Sequence, residues 1–168
     1  MEHVADKIWR PVELACVQTE KCNRKTSLRA PDDNARRIAD ATRGVKDVIV
    51  RHGIKAMVVE LPPGGAPRMN ILKMLSLASG MIIAIGECFD MAVEYYTPQD
   101  TRRAAGVPIG VKDKDNVKKI VMEEMGRLYP ELAQEFPAIE RRNHVADALS
   151  CFEAAREGVL VRMIEARQ

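Results

Sequence analysis

Apolar residues follow two different rhythms along this chain. Residues 55–61 read KAMVVEL, a short run rich in β-branched side chains between Gly53 and the turn residues Pro62-Pro63-Gly64-Gly65. Such a run predicts a buried strand, here one ending at Glu60. A second run, MAVEYYT over 91–97, reads as another strand stopped by Pro98. Near the start, Val12, Leu14 and Cys16 alternate with Glu13 and Ala15. That alternation predicts strands over 7–20, with Pro11 at a bend or an edge.

The other rhythm is helical. Ile38, Thr42, Val45 and Ile49 share a face over 34–52, with Asp33 or Asn34 as the cap and Gly53 as the stop. The helix predicted over 67–88 is apolar nearly all round. Leu72, Leu75, Ser79, Ile82 and Ile83 form one stripe, Met74, Leu77, Ala78, Met81 and Ile85 form another almost opposite, and Lys73, Ser76 and Gly80 leave a narrow polar strip. Such a helix is covered on two sides. Its own sheet covers one; a second copy of the chain, making a homodimer, or another part of the same chain covers the other. Thr97 opens a short helix, and another runs from 115 to 128 with Val117, Ile120, Val121 and Leu128 inward, ended by Tyr129-Pro130. The last helix is expected to start near His144, capped by Asn143, with Val145, Ala148, Leu149, Phe152, Val159, Leu160 and Met163 as its core face. This order predicts one α/β domain over 1–168 with a mixed sheet flanked by helices.

Composition narrows the class without naming a function. With 168 residues, 46% hydrophobic and 30% charged, the chain can bury a real core. A net charge of +2 gives no global argument for nucleic acid. Cys16, Cys22, Cys88 and Cys151 form no C-x-x-C pair, which fits a reducing, cytoplasmic setting better than a zinc ribbon. No basic segment leads into an N-terminal apolar run, so no signal peptide is expected, and the apolar run MIIAIGECF is too short to span a bilayer.

Chemistry enters with three residues. Glu60 ends a buried strand just before a glycine-rich loop, where ligands of open α/β sheets gather. It either binds a metal or reaches solvent at the strand tip. His144 and Asp147 are three apart on one helix face, which suits metal binding, capping or a surface ion pair. Together the three suit Mg²⁺, which asks for a few carboxylates and keeps its waters. Around them in chain order lie Arg68, Arg102, Arg103, Lys112, Lys114, Lys118 and Lys119, preceded by Lys21, Arg24, Lys25 and Arg29 in an earlier loop. Basic loops of this kind either solubilise a surface or bind phosphate backbones. Low aromatic content argues against base stacking as the main theme.

The segments AMVVELPPGG, YYTPQDTRRAAGVPIGVKDKDNVKKIV and NHVADALSC resemble the RuvC family of Holliday-junction resolvases, which have the ribonuclease H-like fold. The resemblance runs from about Trp9 to the last helix. It implies a homodimer, joined through the helix over 67–88, that cuts four-way DNA junctions with two divalent ions, Mg²⁺ or Mn²⁺. Glu60, His144 and Asp147 would be the metal ligands and Lys114 a catalytic lysine near the scissile phosphate. Arg102 or Arg103 would contact DNA, beside Arg68, Lys112 and Lys118. The chain departs from the family in two ways. The first, central strand and its catalytic Asp have no counterpart, which would leave two inner sheet edges unpaired. Either the protein begins upstream by one strand, or it is a form that binds junctions without cutting them. The PPGGAPR loop also lacks the aromatic wedge that some relatives place there.

Overall fold

The computed structural model of the protein describes residue 9 and residues 11–22, 29–61 and 69–167. The elements run α1 (Ala30–His52), β1 (Ala56–Glu60), α2 (Met69–Cys88), β2 (Ala92–Tyr96), α3 (Pro98–Ala104), α4 (Lys114–Leu128), α5 (Glu131–Glu135), α6 (Ile139–Ala155) and α7 (Val159–Glu165).

Among the described residues the sheet has two strands, β1 and β2, paired in parallel with Ala56 opposite Ala92 and Glu60 opposite Tyr96. The mixed sheet expected from the sequence is therefore a parallel pair here. Residues 11–22 form no strand. Their extended chain follows α1 instead, from Glu13 beside Arg51 and His52, through Val17 against Gly44, to the backbone N–H of Cys22, which donates to Asp33. The alternation in this segment is real, since Leu14 and Cys16 pack against the main core, but among the described residues the backbone has no strand beside it to pair with.

The main core joins α3, α4, α5 and α6. Met125, Leu132 and Ala146 are fully enclosed, with Ala105, Val117, Val121, Tyr129, Val145 and Leu149 around them. The Tyr129 hydroxyl donates to Glu153 across this core. A smaller cluster of Ile49, Ile85 and Met91 binds α1 and α2 to the sheet. The inner face of α2 takes half-buried Met74, Ala78, Met81 and Ile82 together with buried Ile85, so it draws from both predicted stripes. Leu72 and Ile83 on its other side are exposed, as are Ile71 and Leu77 nearer the inner face. The 18 residues Ile71–Cys88 have a mean hydropathy of 1.6 and are long and apolar enough to cross a membrane. The expectation of no such stretch holds only for the uninterrupted run MIIAIGECF, because the helix carries on through Lys73, Ser76 and Ser79.

Helix ends account for the other differences. Helix α1 starts four residues early, at Ala30, with Pro31 in its first turn. Asp33 is not its cap; its carboxylate accepts from Arg36 at 2.8 Å and from Cys22. Helix α3 begins as expected, with a reciprocal capping box between Thr97 and Asp100. Helix α4 is capped by Asp113, whose side chain accepts from the Asp115 N–H. Helix α6 begins at Ile139, so Asn143 is not a cap and His144 sits in its second turn. It ends at Ala155, and Val159 opens the separate helix α7. The break is held by Glu94 of β2, whose carboxylate accepts from the Val159 and Leu160 N–H groups. Gly158 suits this tight break, because a Cβ would fall 2.9 Å from the Ala155 carbonyl oxygen and would also push on the Glu94 and Tyr96 side chains.

Leu132, on the five-residue helix α5, is completely enclosed. Replacing it by Ala should cost about 2–5 kcal/mol in denaturant unfolding, as for other large-to-small core changes. A loss under about 1 kcal/mol would mean that α5 is not part of the cooperative core.

Candidate functional site

The end of β1, the helices α3, α4 and α6 and the loop between α3 and α4 line a cleft of about 420 Å³ at the carboxyl end of β1. Its acidic residues are Glu60, the last residue of β1, and Asp147, in the middle of α6. Its basic residues are Arg102 from α3, Lys112 from the loop that follows, and Lys114 and Lys118 from the first turns of α4. Residues 87 positions apart in the chain therefore share one cavity.

The placement of Asp147 follows from the burial of its neighbours. Val145, Ala146, Leu149 and Ser150 face inward, and at 100° per residue this leaves Asp147 at the edge of the buried face. Thr101 is 3% exposed on α3, and its hydroxyl lies 2.9 Å from the Glu60 carboxylate and 3.2 Å from the Pro98 carbonyl. One hydroxyl carries one proton, so Thr101 serves one of these acceptors at a time. Ser150, also on the cleft wall, donates to the Asp147 carbonyl at 2.8 Å and fixes the backbone there.

Crowding by the cleft walls pushes the Glu60 carboxyl above its ordinary range; the Asp147 charge adds to this, while the Thr101 hydrogen bond and Arg102 oppose it. Asp147 is pushed up by the same loss of water, against the pull of His144, Lys118 and Arg102. Both residues are exposed at the cleft surface, so these shifts reflect only a partial loss of water to the cleft walls. The Asp147 charge thus reaches Glu60 across the cleft that both residues line. The Cys151 thiol behind them is pushed up to about 12, first by burial and then by the Glu60 charge, which keeps it in the unreactive thiol form.

Of the predicted site residues, Glu60, Asp147, Arg102, Lys112, Lys114 and Lys118 come together. His144 lies close enough to bias Asp147 electrostatically but is exposed and off the cleft wall. Arg103 points into a neighbouring cavity and makes a loose 3.9 Å ion pair with Asp100. Lys119 pairs with Glu123 on the far side of α4. Arg68, like Arg24, Lys25 and the PPGGAPR loop, lies outside the described residues. Thr101 and Ser150 are not evident from the sequence. The signal for Thr101 was its spacing of four from Ala105, which sets both on the buried face of α3.

Among the described residues no group of three His, Cys, Asp or Glu side chains is placed to hold a metal ion. The donors that line the cleft, two exposed carboxylates within a basic rim, suit in their chemistry one hard divalent cation that keeps several waters.

The fold has a solved counterpart. T. thermophilus RuvC in complex with Holliday junction substrate is similar over 82% of this chain and 75% of that chain, at 17% identity and a TM-score of 0.53. No family model matches this sequence. No curated protein matches it either. The chain thus has a RuvC-like α/β fold, mostly helical, around a small parallel sheet.

Two carboxylates with raised folded-state pKa values contribute stability that is fully present at low pH. That contribution is lost as pH rises through the usual carboxylate range into the raised one. Asp147→Asn should therefore raise the thermal midpoint at neutral pH, with the gain fading towards about pH 4 as wild-type Asp147 protonates. Equal midpoints at neutral pH, or a lower one in the variant, would contradict the crowded-carboxylate description.

Proposed function

We propose that this chain is a metal-dependent endonuclease that cuts branched DNA at four-way junctions. The observation that carries this reading is the meeting of Glu60 and Asp147 inside a cleft rimmed by Arg102, Lys112, Lys114 and Lys118. Acid at the centre and base around it is the arrangement a phosphodiester needs, with a cation under the reacting phosphate and side-chain charge along its backbone. The RuvC-like fold supports the choice of substrate.

In this mechanism Glu60 and Asp147 hold the cation, and Thr101 orients the Glu60 carboxylate for it. Bound Mg²⁺ or Mn²⁺ supplies the charge that lowers the pKa of water and stabilises the leaving oxygen. Arg102, Lys112 and Lys118 position the phosphate, and Lys114 offsets the charge that grows on it in the transition state. His144, exposed and off the cleft wall, acts on this site only through the pull of its charge on Asp147. Two carboxylates suffice for one hydrated Mg²⁺. The two-ion scheme of the RuvC resemblance needs a further bridging carboxylate, which the resemblance puts on the first strand. For this reason a second reading stands beside the first: a dimer that binds junctions without cutting them.

Incubation with a four-way junction separates the two readings. Mg²⁺-dependent symmetric nicks, abolished by Asp147→Asn with binding retained, are expected. Tight binding with no nicks under any divalent ion would favour the silent binder. Lys114→Ala should slow cleavage by about ten- to a hundredfold, with a smaller loss in binding, if it acts in the transition state. Equal losses in rate and affinity would make it a backbone contact.

The same reading pairs two copies through the outer face of α2, where Ile83 is 52% exposed and exposed Leu72 shares its face. Ile83→Glu should then convert a dimer to a monomer in sedimentation velocity with an unchanged circular dichroism spectrum. A wild-type chain that sediments as a monomer at all concentrations would remove the dimer from the account.

A further inference from the structure

The loop between α3 and α4 carries a side chain that neither the core nor the cleft uses. Ile109 is 99% exposed, the highest value among the large exposed hydrophobic residues described. Its backbone is nevertheless tightly fixed. Helix α3 ends in a paired set of bonds, Gly106 N–H to the Arg103 carbonyl at 3.0 Å and Val107 N–H to the Arg102 carbonyl at 2.9 Å. With Gly106 at φ +72°, this is a Schellman cap. Pro108 then locks its own φ. The Val111 N–H bonds to the Pro108 carbonyl at 3.4 Å, closing a turn over 108–111 whose third residue, Gly110, has φ +91°, the signature of type II. Val107 and Val111 pack against the main core. The valines two residues before and after Ile109 are anchored, and the isoleucine is held outward between them.

The surroundings of this tip are basic. A cavity of about 310 Å³ at its base is lined by Arg102, Arg103 and Gln99. Arg102 and Val111 also line the cleft that holds Glu60 and Asp147, so the tip stands at the margin of that cleft. An apolar side chain on a rigid mount, rimmed by guanidinium groups, matches the way proteins unstack nucleic acid. Cations grip phosphates on either side while an Ile, Leu, Met, Phe or Pro side chain enters a base step.

We propose that Ile109 is a wedge that enters the stack of a branched DNA next to the cleft and holds the crossover open. The inference rests on the junction-nuclease reading and extends it, since it names how this chain distorts its substrate. Ile109 is a positioning residue: it touches bases and makes no contact with the reacting phosphate.

The test uses the full chain and a four-way junction with 2-aminopurine at the crossover, without divalent metal so that nothing is cut. Fluorescence of this base analogue rises when it unstacks. Wild type should raise it on binding. Ile109→Leu should keep the rise. Ile109→Ser should bind with a Kd within about threefold of wild type, because phosphate contacts dominate affinity, yet leave fluorescence near the protein-free level. The position is fully exposed, and a wild-type thermal midpoint for Ile109→Ser would confirm that folding is intact. An undiminished fluorescence rise in Ile109→Ser overturns the wedge while leaving the nuclease reading in place. So does Ile109→Ser dissociating a dimer with no other effect, which would make the side chain a subunit contact. Failure of the wild-type chain to bind the junction overturns both.

Discussion

The packing of α6 is the constraint on which the rest depends. This helix touches α3, α4, α5, α7 and both strands, and Val145, Ala146, Leu149, Ser150, Cys151 and Ala155 are all buried in doing so. A helix buried on several sides cannot turn about its axis or slide without opening voids. Its rotation therefore decides where Asp147 points. The same packing presses α3 against α6, which brings Thr101 to the end of β1 and fixes the partner of Glu60. Two residues distant in sequence face one cleft because of apolar burial elsewhere.

That arrangement is costly in the isolated chain. Glu60 and Asp147 both lose hydration at the cleft, which raises both pKa values; the Asp147 charge adds to the rise at Glu60, and Arg102, Lys118 and His144 offset it only in part. A protein selected for stability alone would place a neutral or apolar residue at one of these positions. Keeping two repelling acids in a basic cleft makes sense if a cation and a phosphate complete the charge balance. The local chemistry also accounts for what is absent from the core. Among the described residues, buried side-chain polar atoms all have partners, so the electrostatic strain is concentrated at the cleft.

Much of this architecture was legible in the sequence. The strand ending at Glu60, the Thr97 cap, the Gly53 stop and the inward set of α4 follow from period and turn chemistry, and the structure keeps them. The convergence of Glu60 with Asp147 was legible only through resemblance, because no local pattern relates a strand end to a helix 87 residues on. Other features left no readable mark. Helix α6 starts five residues early because Ile139, Glu140 and Arg141 are exposed, so its first turn has no apolar rhythm, and Ala138 gives no side-chain cap. Its end is set by Glu94 from another element, which local composition cannot reveal. The segment over 11–22 has a strand's alternation but lies on α1, since pairing requires a neighbour and not only a pattern.

The claim at the centre is that Glu60 and Asp147 form one cation site. Titration of the chain with Mn²⁺, followed by the electron paramagnetic resonance signal of the free ion, tests it without DNA or turnover. The account predicts saturable Mn²⁺ binding that Glu60→Gln and Asp147→Asn each remove, with competition by Mg²⁺. Saturable binding that survives both substitutions would place the metal elsewhere and contradict it.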